Sequence, residues 1–473
     1  MKRAILTAAL ALLASAACGG EPTGPQAPPA PPSLDADINA TDYVGTYERT
    51  DGTPIYVVSR GGGLIVVVTG NAFALLPTGP DAFDLDGVPE TVVFERGNDG
   101  AVVAVSDSQG RYPRTGDVPS DLAAQYGDGD APGFDYAAPT RGEDGLPVAA
   151  ASTAGIDETV LAAIGTDLRG DAEYAGVHAL LVMRNDLLVH EDYLAGFDAD
   201  QAHDLRSATK SVVAALVGTA VARGEAFLDD EPLALVAEDA GLPITDHKAA
   251  LTLRDLLGMR HGLRCDDWDE ASPGNEASIY PQAEWTPAIL SIPDDEDPAR
   301  VSYCSAMPLM VGRYLELTTG KALPDYAQTA LFDPLGIDRS DWRWDFRLEA
   351  KETLHGAQIH LRPRDMLRIG RLYAEDGVAP DGTRLLPPGW VAETFGATRA
   401  LGDWRRYARY WWTYEADTPD GPVPVHFASG IGGQRIAVVP SRNLVIAMTG
   451  GSFTEGQGGP RRVIERIVAA SGD

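Results

Sequence analysis

From about Gly155 onward, β-type runs stand at both ends of a long helical stretch, and this placement narrows the folds the chain can adopt. Val177 to Arg184 and Leu187 to Tyr193 are apolar runs flanking Asn185-Asp186, a two-residue hairpin signal. Val423 to Ala428, Gln434 to Val439 and Leu444 to Thr449 are similar runs near the other end. Between them the apolar spacing predicts helices, including Ser207 to Arg223, Leu251 to Met259, Leu309 to Thr319 and Pro363 to Tyr373. Ile156 to Ile164 and about Arg461 to Ala470 predict further helices at the two ends. The expected class is α/β: an antiparallel sheet assembled from both ends, flanked by helices, with a large helical insert. The seam between sheet and insert is a natural place for a pocket.

Upstream the pattern is different. Ile55 to Val58, Leu64 to Thr69, Thr91 to Glu95 and Val102 to Ser106 are short β-rich runs between Gly-, Asp- and Asn-rich turns, which predicts a small all-β barrel or sandwich. The first residues read as a targeting segment. Lys2 and Arg3 precede an apolar run, Ala4 to Ala17, too short to span a bilayer. It ends in Ser15-Ala16-Ala17-Cys18-Gly19-Gly20, which resembles a lipoprotein cleavage site with Cys18 as the lipidated residue. Ser15 stands where leucine is usual, so plain secretion with cleavage nearby is the alternative. The expected organisation is a leader (1–18), a Pro/Ala/Gly-rich tether (19–40), a small β domain (41–115), a linker (116–150) and the α/β domain (151–473).

The net charge of −31 repels phosphate backbones and anionic leaflets. Nucleic-acid binding is therefore excluded as an expectation, and membrane attachment is expected only through a lipid anchor at Cys18. The location expected is exported: a periplasm-facing outer-membrane lipoprotein, or a secreted protein. Of three cysteines, lipidation would remove one and leave Cys265 and Cys304 as a pair in an oxidising compartment. A disulfide is expected, with two unpaired buried thiols as the alternative. Asp128-Gly-Asp130 lacks a full calcium loop, and Asp266, Asp267, Asp269 and Glu270 read as a solvated acidic loop. His261 and His426 have no partners at metal-ligand spacing, and no phosphate loop or dinucleotide fingerprint is present. No metal and no organic cofactor are expected.

The chemistry is carried by Ser207-Ala-Thr-Lys210. Lysine occurs only at positions 2, 210, 248, 321 and 351, although lysine and arginine together number 38. Arginine stays protonated in proteins, whereas a buried lysine can release its proton. At the head of a helix, Lys210 lies on the same face as Ser207 and can reach its oxygen. To act as its base the amine would have to fall from about 10.4 to near 7, a cost of roughly 4 kcal/mol. The alternative is a helix-capping serine beside an exposed lysine.

Asp204-Leu-Arg-Ser207-Ala-Thr-Lys210-Ser, then Leu251-Thr-Leu-Arg-Asp-Leu-Leu-Gly-Met259 before His261-Gly262-Leu263, then Phe332-Asp-Pro-Leu-Gly-Ile337, together resemble the serine β-lactamase-like hydrolases. That superfamily includes class C β-lactamases, DD-peptidases, family VIII esterases and 6-aminohexanoate-dimer hydrolases, and the resemblance covers about residues 140 to 470. It implies that Tyr303-Cys304-Ser305 takes the place of a Tyr-x-Asn motif. Tyr303 would then share a proton with Lys210 and protonate the leaving group, and Ser305 would contact substrate in place of the asparagine. It implies likewise that Ala428-Ser429-Gly430 replaces Lys-Thr-Gly, followed by Ile431-Gly432-Gly433. The amides of Ser207 and Ile431 would form an oxyanion hole, with Ser429, Gly430 and Gly432 lining the substrate position. Ala428 removes the cation that β-lactamases offer a substrate carboxylate, and Arg435 is not counted on to replace it. Trp404, Tyr407, Tyr410, Trp411 and Trp412 line either an acyl pocket or the core, with Trp411 as the substrate-binding candidate. The run Tyr43-Val-Gly-Thr-Tyr47, with Phe83 and Phe94, resembles the lipocalin-like domain attached to such hydrolases. The function expected is hydrolysis of an ester or small linear amide through an acyl-serine. A β-lactamase or D-amino-acid peptidase, or a catalytically silent binding protein on the same fold, is the alternative.

Overall fold

In the small β domain, alternation along each strand decides what closes (computed structural model). The structure describes residues 31–472, except 35–37, 51, 69–70, 87, 143, 172–173, 175, 348–351, 354, 402–404 and 452–457. The expected leader, Cys18, most of the tether and Trp404 lie outside the described residues. Eight strands, β1 (Gly45–Glu48), β2 (Pro54–Arg60), β3 (Gly63–Val68), β4 (Asn71–Gly79), β5 (Ala82–Leu85), β6 (Thr91–Arg96), β7 (Val102–Ser106) and β8 (Arg111–Gly116), pair in sequence order and close into a barrel. The β-rich runs of the sequence account for β2, β3, β6 and β7. Strand β8 is an addition: its polar residues and Pro113 hide it, and only Tyr112 turns fully inward. The centre is packed with the chain's own rings. Tyr43, Phe83 and Phe94 meet edge to face at 4.9–5.7 Å, and Tyr47 joins them.

The period-2 pattern sends Ile55, Val57, Leu64 and Val66 inward and Tyr56, Val58, Ile65 and Val67 outward. The outward set is buried as well, because it packs on Leu122 and Tyr126 of helix α1 (Ser120–Tyr126) and on Ala195. The Tyr56 hydroxyl donates to the Ala195 carbonyl at 2.7 Å, and the Asp121 carboxylate accepts from the Ala195 amide at 2.6 Å. A cavity of about 600 Å³ opens along this seam, bordered by Tyr56, Gln125, His178, Phe197 and Trp342.

The second sheet has eight antiparallel strands in the order β10-β9-β21-β20-β19-β18-β17-β16. Here β9 is Val177–Arg184, β10 is Leu187–Tyr193, and the small pieces β11 (His203–Asp204), β12 (Arg343–Trp344), β13 (Phe346–Arg347), β14 (Glu352–Thr353) and β15 (Ile359–Leu361) lie in the insert or at its edge. The remaining strands are β16 (Arg399–Ala400), β17 (Arg406–Ala408), β18 (Trp411–Thr418), β19 (Gly421–Gly430), β20 (Gln434–Val439) and β21 (Leu444–Gly450). Asn185 and Asp186 both take positive φ, 51° and 64°, as a two-residue turn between twisted strands requires. The two ends of this region meet where β9 pairs with β21, Val182 opposite Ile446. Both strands are buried throughout, consistent with burial of both sheet faces.

Helices α2 (Glu158–Gly170), α5 (Pro363–Ala374) and α6 (Gly458–Ala470) pack on this sheet or on one another. The insert contributes α3 (Thr209–Ala222) and α4 (Ala306–Thr319). Every residue of α3 from Thr209 to Ala220 is buried, which places this helix between sheet and insert. The barrel docks beyond β10, at one edge of the sheet; the seam around α3 opens four strands away, at β19.

Candidate active site

The approach to Ser207 is pinned before the helix starts. β11 pairs with β15 (His203 opposite Leu361), and the Leu205 amide donates to the Ile359 carbonyl at 2.9 Å. Arg206 then takes φ 49°, a left-handed conformation that costs a non-glycine residue about 1 kcal/mol or more. Its amide and guanidinium both hold Asp204, at 2.8 and 3.0 Å, which offsets that strain. Ser207 sits in the short 3-10 turn Arg206–Ala208, one residue ahead of the cap of α3. This corrects the expectation of a serine inside the helix start: the hydroxyl makes no capping bond and is free to face Lys210.

Lys210 donates to Ser207 Oγ at 2.9 Å and is 1% exposed. Tyr303 completes the group. The Lys210 ammonium stands 5.0 Å from its ring centre, and Lys210 and Ser207 both act to lower the pKa of the Tyr303 hydroxyl. The three residues nominated from the sequence are therefore together. The lysine's pKa does not move in the direction that a base in the resting site requires. Burial opposes the ammonium, but Tyr303, Asp267 and Glu276 outweigh it and the pKa moves up, not down. Burial also raises Tyr303, against the pull of Lys210. At rest the site therefore holds an ammonium and a neutral phenol, and its base appears only when this pair gives up one proton.

Tyr303 is held on several sides. Cys265 and Cys304 form a disulfide with Cα atoms 5.5 Å apart. The Asp267 amide donates to the Tyr303 carbonyl at 2.8 Å, and Trp268 stacks on the Tyr303 ring at 5.5 Å and 4°. Trp412 stacks at 5.5 Å, and Tyr407 meets the ring edge-on at 5.9 Å. Trp268 and Asp267 were missed as site residues because they sit in what reads as an acidic loop. The usable signal was their position beside Cys265, whose partner adjoins Tyr303.

Gly430 ends β19 against the turn that carries Ser207. A Cβ there would lie 2.1 Å from the Leu205 carbonyl oxygen, so only glycine permits this approach. Ser429 precedes it, opposite Arg435, and Gly432 follows Ile431 with φ 90°. Two expected side-chain roles change, those of Ser305 and Trp411. Ser305 is fully buried and its hydroxyl is taken by Glu276 at 3.3 Å. Trp411 points to the opposite face of β18 from Trp412 and packs on Tyr373 and Phe395 at 4.4 and 5.7 Å, because neighbouring strand residues alternate sides. Arg435 is buried and committed to the Gly430 and Gln434 carbonyls at 3.1 and 2.7 Å, so it does not replace the cation absent at Ala428.

His261 bonds the Ser302 carbonyl and the Leu263 amide, and His426 bonds Thr413. Both serve packing. The acidic loop is divided: Asp266 pairs with Arg300 at 3.1 Å and Asp269 accepts from the Ala271 amide, while Asp267 turns inward.

Comparison with known proteins extends this picture. A family model described as Beta-lactamase matches residues 164–470, well over half of the chain. A 6-aminohexanoate-dimer hydrolase from Paenarthrobacter ureafaciens is 27% identical over 271 residues, covering 52% of this chain and 66% of the relative. Penicillin-binding protein 4 from Amycolatopsis lactamdurans is 26% identical over 226 residues, covering 42% of this chain and 58% of the relative. The chain thus spans 66% and 58% of these two relatives' own lengths. A solved penicillin-binding protein homologue from Caulobacter crescentus superposes with a TM-score of 0.51 at 18% identity, over 66% of this chain and 97% of that one. At that identity the likeness concerns the fold alone.

Proposed function

Because this chain belongs to the Beta-lactamase family of serine hydrolases, we propose that Ser207 is its nucleophile and that it hydrolyses an ester or small linear amide through an acyl-enzyme. The observation that carries this reading is the 2.9 Å contact of a buried Lys210 with Ser207 Oγ, with the Tyr303 ring 5.0 Å from the Lys210 ammonium. Loss of one proton from the Lys210–Tyr303 pair supplies the base. That base takes the Ser207 proton as Oγ attacks the substrate carbonyl carbon. The carbonyl oxygen becomes an oxyanion, for which the amides of Ser207 and Ile431 are the donors, each worth about 3 kcal/mol in comparable sites. Tyr303 returns the proton to the leaving oxygen or nitrogen as the acyl bond breaks. Water then attacks the acyl-serine; the same pair takes its proton and gives it back to Ser207, releasing the acid.

Substrate preference follows from the walls. Ala428 offers no cation and Arg435 is committed to backbone carbonyls, while Trp268, Tyr407 and Trp412 give an apolar surface beside Tyr303. A linear substrate with an apolar acyl group suits this better than one anchored by a carboxylate. The relative named as a 6-aminohexanoate-dimer hydrolase supports the linear-amide side of the proposal. The relative named as a penicillin-binding protein favours a β-lactam or D-alanyl peptide as the second reading. A panel of short- and medium-chain esters, linear amides, D-alanyl peptides and nitrocefin decides between them. We expect kcat/KM for the best ester or linear amide to exceed that for nitrocefin by at least about 100-fold, roughly 2.7 kcal/mol. The reverse order gives the second reading the site.

We also propose that the chain is exported and tethered through Cys18. Mass spectrometry of the mature protein should find a diacylglyceryl-modified Cys18 as its first residue. An unmodified N-terminus elsewhere removes the anchor.

A further inference from the structure

We propose that Asp267 and Glu276 are positioning residues for this reaction: a buried carboxylate pair that fixes the Tyr303–Ser305 backbone and supplies the counter-charge to Lys210. The inference rests on the acyl-transfer reading of Ser207, Lys210 and Tyr303.

The backbone half of the argument is geometric. One oxygen of Asp267 accepts from the Ser305 amide at 2.7 Å and the other from the Glu276 amide at 3.0 Å. The Asp267 amide donates to the Tyr303 carbonyl at 2.8 Å, and Glu276 accepts from the Ser305 hydroxyl at 3.3 Å. Both main-chain groups flanking Cys304 are thus held by one residue, and Glu276 holds the neighbouring side chain. In this chain Asp267 and Glu276 take up contacts at Ser305, the position where the family motif carries asparagine.

The charge half follows from burial. Lys210 is 1% exposed, and its hydrogen-bond partner, the Ser207 hydroxyl, carries no charge. An ammonium in that position needs an anion nearby, since an unpaired buried charge is strongly unfavourable. Asp267 and Glu276 are the carboxylates that act on it. The other charged groups of this region point elsewhere. Asp266 is taken by Arg300, Arg405 lies over the rings of Trp268 and Trp412, and Arg435 bonds the Gly430 carbonyl. Tyr280 and Tyr407 also adjoin the pair, and burial keeps both phenols neutral. Burial and the neighbouring Glu276 push the Asp267 carboxyl up to about 7. The pair therefore stores negative charge at the base of the site and sets how readily Lys210 gives up a proton.

The test uses the small lysine count. Only five lysines are present in the chain, so [13Cε]lysine labelling resolves the Lys210 signal by NMR, assigned with Lys210→Met. In Asp267→Asn/Glu276→Gln, burial of Lys210 is opposed only by the neighbouring Ser207 and Tyr303. Its titration midpoint should fall by at least about one pH unit relative to wild type. The pH profile of Ser207 labelling by a fluorophosphonate should move to lower pH in step with it. If the double variant does not fold, Glu276→Gln alone, which leaves the Asp267 bonds in place, should move both readouts in the same direction by less. An unchanged Lys210 midpoint in a folded variant with the Cys265–Cys304 bond intact overturns the proposal. Failure of the fluorophosphonate to label wild-type Ser207 at any pH would instead count against the acyl-transfer reading, while the lysine titration still decides the role of the carboxylates.

Discussion

Ser207→Ala should lower kcat/KM for the preferred substrate by at least about 10⁴-fold, because every step of the proposed cycle passes through its oxygen. The residual rate would come from binding and the backbone donors alone. Fold loss is not a competing explanation. Ser207 is only partly buried, it lies in a 3-10 turn outside the helix cap, and the turn is held by Leu205, Asp204 and Ile359 rather than by the serine hydroxyl. The variant should therefore unfold at the wild-type temperature, and substrate should still bind it. A variant that retains more than a tenth of wild-type activity would place the nucleophile elsewhere.

Lys210→Met should cost about 10³-fold in kcat with little change in KM, since the lysine assists the reaction without being the bond-forming atom. Methionine keeps the length and suits the buried position, but it removes the charge. The pH profile separates an electrostatic role from a packing role. In wild type, Lys210 is pushed up by Tyr303, Asp267 and Glu276. The active form with one proton fewer therefore grows as pH rises, and kcat/KM should increase through the alkaline range. Without Lys210, Tyr303 loses the cation that favours its phenolate. The residual activity of Lys210→Met should then rise only at still higher pH. Asp267→Asn/Glu276→Gln should move the same limb the other way. Opposite displacements in the two variants are difficult to obtain from a loss of packing.

The strands around the hydrolase seam were legible because their runs are long, β-branched and buried on both faces, as in β9, β20 and β21. β18 was harder to read: Trp411-Trp412-Thr413-Tyr414 gives four buried aromatic or polar residues and then turns acidic, which matches neither period cleanly. For the same reason the sequence could not say that Trp412 faces Tyr303 while Trp411 faces Phe395. Ser207 and Lys210 were legible from the Ser-x-x-Lys spacing and the scarcity of lysine, and Tyr303 only through the resemblance to the serine β-lactamase-like hydrolases. The charge state of Lys210 was not, since it depends on Asp267 and Glu276, far away in the chain and brought in by the bonds around Ser305. A local reading counts Asp267 with Asp266 and Asp269, although only Asp267 faces the site. Likewise Arg435 looks like a free cation beside Gly430 until its two carbonyl partners are seen.

The central claim is that Ser207 forms a covalent bond with its substrate, and intact-protein mass spectrometry with peptide mapping reads this directly. Wild-type protein treated with a fluorophosphonate should gain one adduct, mapped to the peptide containing Ser207, at a rate that rises with pH. Ser207→Ala should gain none. A folded wild-type protein that stays unlabelled, or one labelled equally in both proteins, would contradict the account.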